Sequence, residues 1–235
     1  MPTLCVAGHA LEYQWFDPPH AREAESDAIL VFLHEGLGSL AMWKDFPAQV
    51  ALATGCRALV YSRQGYGKSA PLSTPRTVRY MHDEALIALP ELLHQLHIRN
   101  PILIGHSDGA SIALIHAAQR SWPVRALVLL APHVFVEQLT VDSIAKAKIA
   151  YQGSDLPVKL GRYHDDVDGA FWGWNQIWLD PAFRHWNIES GLSKITCPVL
   201  AIQGEDDEYG TMAQVESIAR QTRQVRVIQL GQCRP

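Results

Sequence analysis

The stretch that most constrains this chain is residues 101–119. It opens with the apolar run 102–104 and closes with small and apolar residues, 109–119, that read as a helix. Between them stands Gly105-His106-Ser107-Asp108-Gly109, a G-x-S-x-G pattern. Strand, sharp turn and helix are the context in which that pattern presents a nucleophilic serine. The turn lifts the Ser107 hydroxyl to the carboxyl edge of a sheet, and the glycines leave room where side chains would not fit. Asp108 opens the helix, so its backbone N–H points at any oxyanion formed at Ser107. The pattern alone also arises by chance; its flanks give it weight. The Asp108 carboxylate suits the first turn of a helix through the dipole and is assigned no catalytic role. His106 is read as structural.

The same grammar recurs along the chain. Apolar runs at 28–33, 58–61, 126–130 and 199–203 read as strands buried on both faces, and 225–230 as a last strand. Helices are expected at 41–53, 78–97 and 212–221. The second carries Met81, Ala85, Leu89, Leu92 and Leu96 on one stripe, with Pro90 expected to kink it. Residues 3–16 read as two short strands broken at Gly8-His9, and 18–27 as a loop. The alternation predicts an α/β fold: a mostly parallel, doubly wound sheet with helices on both faces. Chemistry in such sheets gathers at the carboxyl ends of the strands. Ser107, the loop around Gly36 and Asp207 each follow a strand. Residues 134–190 differ in character, with Trp172, Trp174, Trp178 and Trp186 crowded among polar patches. Phe171, Trp174 and Trp178 share one helical face, which packs on the main body and can also roof an apolar substrate pocket.

With 235 residues, 48% of them hydrophobic, the chain can bury one sizeable core. A net charge of −4 without a basic block argues against nucleic acid and anionic membrane as partners. Cys5, Cys56, Cys197 and Cys233 lie far apart with no C-x-x-C spacing, which argues against zinc or a disulfide framework and fits a reducing, cytoplasmic setting. No signal-peptide pattern or membrane-length apolar run is seen. His164-Asp165-Asp166 with Asp168 reads as a solvated loop rather than a metal site. No Rossmann or P-loop pattern occurs. The expectation is a small-molecule substrate with no cofactor and no metal; nothing sets an oligomeric state.

These motifs together resemble the α/β-hydrolase family over nearly the whole chain. Gly105–Gly109 looks like the nucleophile elbow. His34-Glu35-Gly36-Leu37-Gly38-Ser39 resembles the family's H-G-x-x-G-S oxyanion loop, with Glu35 where glycine is usual. Arg63-Gln64-Gly65-Tyr66-Gly67-Lys68-Ser69 resembles its R-x-G-x-G-x-S loop, and Gly204 to Asp207 its G-x-x-D acid turn. The resemblance implies Ser107 as nucleophile, backbone N–H groups of Asp108 and of Gly36 or Leu37 as the oxyanion hole, and Asp207 (or Asp206) as the acid that orients a histidine. It also implies a hydrolase core over 1–133 and 191–235 with a helical cap over 134–190.

One departure stands out. The family's histidine follows the last strand, yet none of this chain's eleven histidines lies beyond His185. The strand 225–230 is followed by five residues, so the catalytic histidine and a closing helix are expected to be missing, through C-terminal truncation or a frameshift. Of the upstream histidines, His34 is read as structural and His133 as pointing into the cap junction, with His185 in the cap. Two functions follow. One is a serine hydrolase acting on a small carboxylic ester or related acyl substrate through an acyl-enzyme, impaired by the absent imidazole. The other is a non-catalytic scaffold that binds a small hydrophobic ligand.

Overall fold

The computed structural model describes residues 1–18 and 28–234. All but the first residue of the loop expected at 18–27 lies outside these. Eight strands form one sheet: β1 (Thr3–Val6), β2 (His9–Phe16), β3 (Ile29–Leu33), β4 (Arg57–Tyr61), β5 (Ile102–His106), β6 (Ala126–Leu130), β7 (Val199–Gly204) and β8 (Val225–Leu230), in the spatial order β1-β2-β4-β3-β5-β6-β7-β8. β1 and β2 pair antiparallel, as do β2 and β4; every pairing from β4 through β8 is parallel.

The central strands lack polar alternation because both faces are covered. Val31, Leu33, Leu59, Tyr61 and Leu103 face the larger core, under α2 (Tyr80–Asp83), α3 (Leu89–Gln95), α4 (Asp108–Gln119) and α9 (Met212–Gln221). Their neighbours Leu30, Phe32, Ala58, Val60 and Ile104 face a smaller cluster under α1 (Phe46–Thr54). The period of two thus sends alternate apolar side chains to opposite helical layers.

Two expected helices differ in detail. The one expected over 41–53 divides into a 3-10 turn, Leu40–Trp43, and α1; Lys44 takes φ 53° and Pro47 sits in the first turn of α1. In the helix around Pro90, the segment Glu84–Ala88 between α2 and α3 is π-helical. Proline lacks an N–H and crowds the carbonyl four residues back, and a widened turn accommodates both.

Residues 134–190 leave and return at one point. Phe135 bridges Asn187, and Ile188 N donates to Val134 O (2.8 Å). Between lie α5 (Gln138–Gly153), α6 (Leu156–Leu160), α7 (Val167–Leu179), a 3-10 turn Pro181–His185, and α8 (Glu189–Leu192), which begins just before the segment ends. Asp166 caps α7 by accepting from Gly169 N (2.9 Å). The buried Phe171, Trp174, Trp178, Phe183 and Trp186 join the larger core rather than forming one of their own.

Candidate active site

Because β5, β6 and β7 are adjacent and parallel, the residues that follow them meet at one edge. Ser107 alone separates β5 from α4, at φ 51° and ψ −116°. That left-handed φ is costly for a residue with a Cβ. It is held by Ser107 N donating to Leu130 O (2.9 Å) and by Ser107 O accepting from the N–H groups of Ala110 (2.9 Å) and Ser111 (3.1 Å). The flanking glycines are explained by backbone approach. A Cβ on Gly109 would run into the Leu33 carbonyl and lie 2.7 Å from His34 O, and one on Gly105 would lie 2.5 Å from Ala110 N.

The loop after β3 is fixed from behind. The Glu35 carbonyl accepts from His34 Nδ1 (2.7 Å), Gly38 N (3.1 Å) and Arg63 Nη2 (2.9 Å). Arg63, itself buried, also donates Nη1 to His34 O, while its N–H goes to His34 Nε2 (3.1 Å). A trans peptide places N–H opposite C=O, so the Gly36 N–H faces away from Arg63. Among the described residues, neither the Gly36 nor the Leu37 N–H has a recorded protein acceptor. Both His34 ring nitrogens are used, and burial, then the Arg63 charge, holds its pKa well below the ordinary value. His34 is therefore a neutral structural residue.

Gly36 and Leu37 line a cavity of about 250 Å³ shared with Ser107 and Asp207. Asp207 is buried, accepting from Gln203 Nε2 on Oδ2 (2.7 Å) and from Tyr209 N (2.7 Å) and Gly210 N (3.3 Å) on Oδ1. Burial raises its pKa against the pull of those donors. Asp206 is exposed, with its N–H donating to Cys233 O (3.1 Å). Of the two carboxylates, Asp207 is the one that faces the Ser107 edge.

Several expectations need correction. His133 meets the junction with 134–190, its ring touching Trp178 edge-on at 5.2 Å, and it also lines the Ser107 cavity. Trp174 lines that cavity; Trp178, one helical turn on, does not, and lies behind it among His133, Phe183 and Trp186. Trp178 Nε1 donates to Asp108 Oδ1 (3.2 Å) and Tyr80 Oη to Oδ2 (2.6 Å). The Asp108 carboxylate stands in the first turn of α4 as expected and is, besides, a buried crosslink; burial raises its pKa, with Arg63 opposing. His164 is not solvated. It accepts from Gly67 N on Nδ1 (3.0 Å) and donates Nε2–H to Leu37 O (3.2 Å), joining segment 134–190 to two loops of the sheet edge. Among the described residues, no cluster of His, Cys, Asp and Glu is arranged to hold a metal ion.

Sequence reasoning missed one pair. Glu35 and His106 both line the cavity, with His106 Nδ1 3.5 Å from Glu35 Oε2. Burial works to raise the Glu35 pKa, but the His106 hydrogen bond and charge outweigh it and the carboxyl sits below its ordinary value. The signal was the acid standing at an expected glycine; its partner, 71 residues away, left no local trace.

Residues 30–233 match the alpha/beta hydrolase family, and the chain belongs to it. A bifunctional esterase/perhydrolase of Acinetobacter calcoaceticus is 24% identical over 218 residues, covering 77% of this chain and 75% of that protein. An sn-1-specific diacylglycerol lipase of Danio rerio is 33% identical over 101 residues, a match spanning 43% of this chain and 30% of that lipase. The enol-lactonase of Burkholderia xenovorans LB400 superposes with a TM-score of 0.74 at 21% identity, covering 97% of this chain and 91% of the other. This chain is an α/β-hydrolase enzyme by family and fold. No helix among the described residues is long and apolar enough to cross a membrane.

Proposed function

We propose that this chain is a serine hydrolase acting on a small carboxylic ester, with Ser107 as nucleophile and an acyl-enzyme intermediate. The observation that carries the reading is the strained Ser107 turn opening onto a cavity of about 250 Å³ that Asp207 and the Gly36 loop also line. Ser107 Oγ attacks the ester carbonyl, and the developing oxyanion takes N–H donors from Asp108 and from Gly36 or Leu37. The cavity suits a short acyl group packed against Leu37 and Trp174. Residues 134–190 act as a cap over a core of 1–133 and 191–235. The esterase named among the relatives supports the reaction class. Cys5, Cys197 and Cys233, which form no disulfide among the described residues, support a reducing, cytoplasmic setting.

A second reading is a scaffold that binds a small hydrophobic ligand without turnover, and the apolar side of the cavity lining, Leu37, Ala131 and Trp174, favours it. Diisopropyl fluorophosphate separates the two. The hydrolase reading expects one phosphoryl adduct, located by peptide mass spectrometry on Ser107 and absent from Ser107→Ala. A folded chain that stays unmodified, or is modified elsewhere, supports the scaffold.

A further inference from the structure

We propose that the Glu35 carboxylate sets the substrate class of the Ser107 cavity, selecting esters that carry a protonated amine on a short arm. This rests on the serine-hydrolase reading and deepens it. Glu35 stands on a fixed piece of backbone, its carbonyl accepting from His34, Gly38 and Arg63. It lines the same cavity as Ser107. Gly38 makes room for the side chain. A Cβ there would run into Glu35 Oε2 and lie 2.7 Å from Oε1, so glycine at 38 is what lets an acid occupy position 35.

The carboxylate keeps acceptor capacity for an occupant. Among the described residues its recorded partners are His106, with Nδ1 3.5 Å from Oε2, and its own backbone N–H. An ionised carboxylate offers about four acceptor sites, and 25% of this side chain is exposed. The other carboxylate of the lining is occupied: Asp207 accepts from Gln203, Tyr209 and Gly210. Burial works to raise the Glu35 pKa, but His106 outweighs it, so the group is ionised at neutral pH.

No fixed cation answers that charge from inside the cavity. Among the described residues, the lining holds two carboxyl groups and neither lysine nor arginine. Arg63 approaches Glu35 from behind, at its carbonyl, and does less to ionise the carboxyl than His106 does. His133 is uncharged at neutral pH, burial lowering its pKa to about 4. A recess that carries negative charge and low-dielectric walls concentrates cations and excludes anions. Trp174 and Tyr209 complete the wall, and aromatic rings also attract cations. Free carboxylate lone pairs call for N–H donors, which a protonated primary amine supplies and a quaternary one does not. About 250 Å³ must hold both amine and ester, so the arm between them is short.

The test is pH-stat hydrolysis at pH 7 of matched esters by the full chain. Methyl β-alaninate and methyl butyrate place the charge on the acyl side; 4-aminobutyl acetate and pentyl acetate place it on the alcohol side. In at least one pair we expect kcat/KM to favour the amine by about 10-fold or more, and monomethyl succinate to be the poorest acyl-side substrate. In Glu35→Gln the ratio should fall to about one. The ratio is taken within one protein, so any general damage to the fold cancels. A wild-type ratio of one or less in both pairs, or a ratio unchanged in Glu35→Gln, overturns the proposal; turnover that is lost in Ser107→Ala then leaves the serine reading intact. No turnover by folded wild type, or turnover unchanged in Ser107→Ala, overturns that reading instead. In that event n-butylammonium binding to Ser107→Ala, followed by saturation-transfer NMR, decides on Glu35: about 10-fold weaker binding on adding Glu35→Gln upholds the cation site, and equal binding overturns it.

Discussion

Moving this protein from pH 7 to pH 5 asks buried imidazoles to accept protons where the fold solvates none. His34, His116, His133 and His164 are all buried, and in each burial is the largest cause of a lowered pKa. Take His133 alone, lowered to about 4. An unfolded histidine titrates near 6.5, so between pH 6.5 and 4 the unfolded chain binds more protons at this site than the folded one, and stability falls as pH falls. Integrating that difference from pH 7 to pH 5 gives a loss of about 2 kcal/mol from this one residue, against a typical total of roughly 5–15 kcal/mol. Asp108 and Asp207, with raised pKa values, work in the opposite direction, so the contribution of His133 must be isolated by difference. Urea unfolding followed by tryptophan fluorescence, at pH 7 and pH 5, on wild type and His133→Gln, does this. Glutamine does not titrate, so the wild type should lose about 2 kcal/mol more than the variant between the two pH values. Equal losses in the two proteins would refute the claim that His133 folds as a neutral, buried group.

Gly109→Ala should cost at least about 3 kcal/mol, because its Cβ meets the backbone of Leu33 and His34 rather than a movable side chain; a melting curve unchanged within 2 °C would contradict the close approach. Ser107→Gly should raise stability by about 1 kcal/mol through relief of the positive φ while abolishing the organophosphate adduct, a trade read by paired denaturation and mass spectrometry. Trp174→Ala should destabilise by about 3–5 kcal/mol and shift preference toward bulkier acyl groups, since this ring both packs against Gly36 and lines the cavity; unchanged selectivity across a p-nitrophenyl ester series would remove Trp174 from the substrate site.

What the sequence discloses depends on the range of the interaction. β6 and α9 fall where the apolar run and the helical reading put them, because burial on both faces or on one face is written into consecutive residues. The turn at Ser107 is legible for the same reason: strand, glycine and helix are contiguous. The break at Lys44 and the π-helical turn before Pro90 are local too, but follow from backbone sterics that periodicity does not register. The rest of the site is made by contacts across the sequence. His164 reaches Leu37, 127 residues away, and Trp178 reaches Asp108, 70 residues away. Trp174 and Trp178 carry the same pattern, and only the placement of α7 over the sheet edge decides which of them meets the cavity.

The Asp108 crosslink constrains how such a site can change. One residue supplies the first N–H of α4, beside Ser107, and through its side chain grips both Tyr80 of α2 and Trp178 of α7. Displacing α7 means stripping a buried carboxylate of a donor, so α7 is bolted to the Ser107 turn. On the proposed function, the side chains of Leu37, Trp174 and Tyr209, which line the cavity without holding α7 to α4, are the part open to variation. Altered substrate range should arise by exchange at those positions, while changes to the partners of Asp108 should register first as loss of the folded protein.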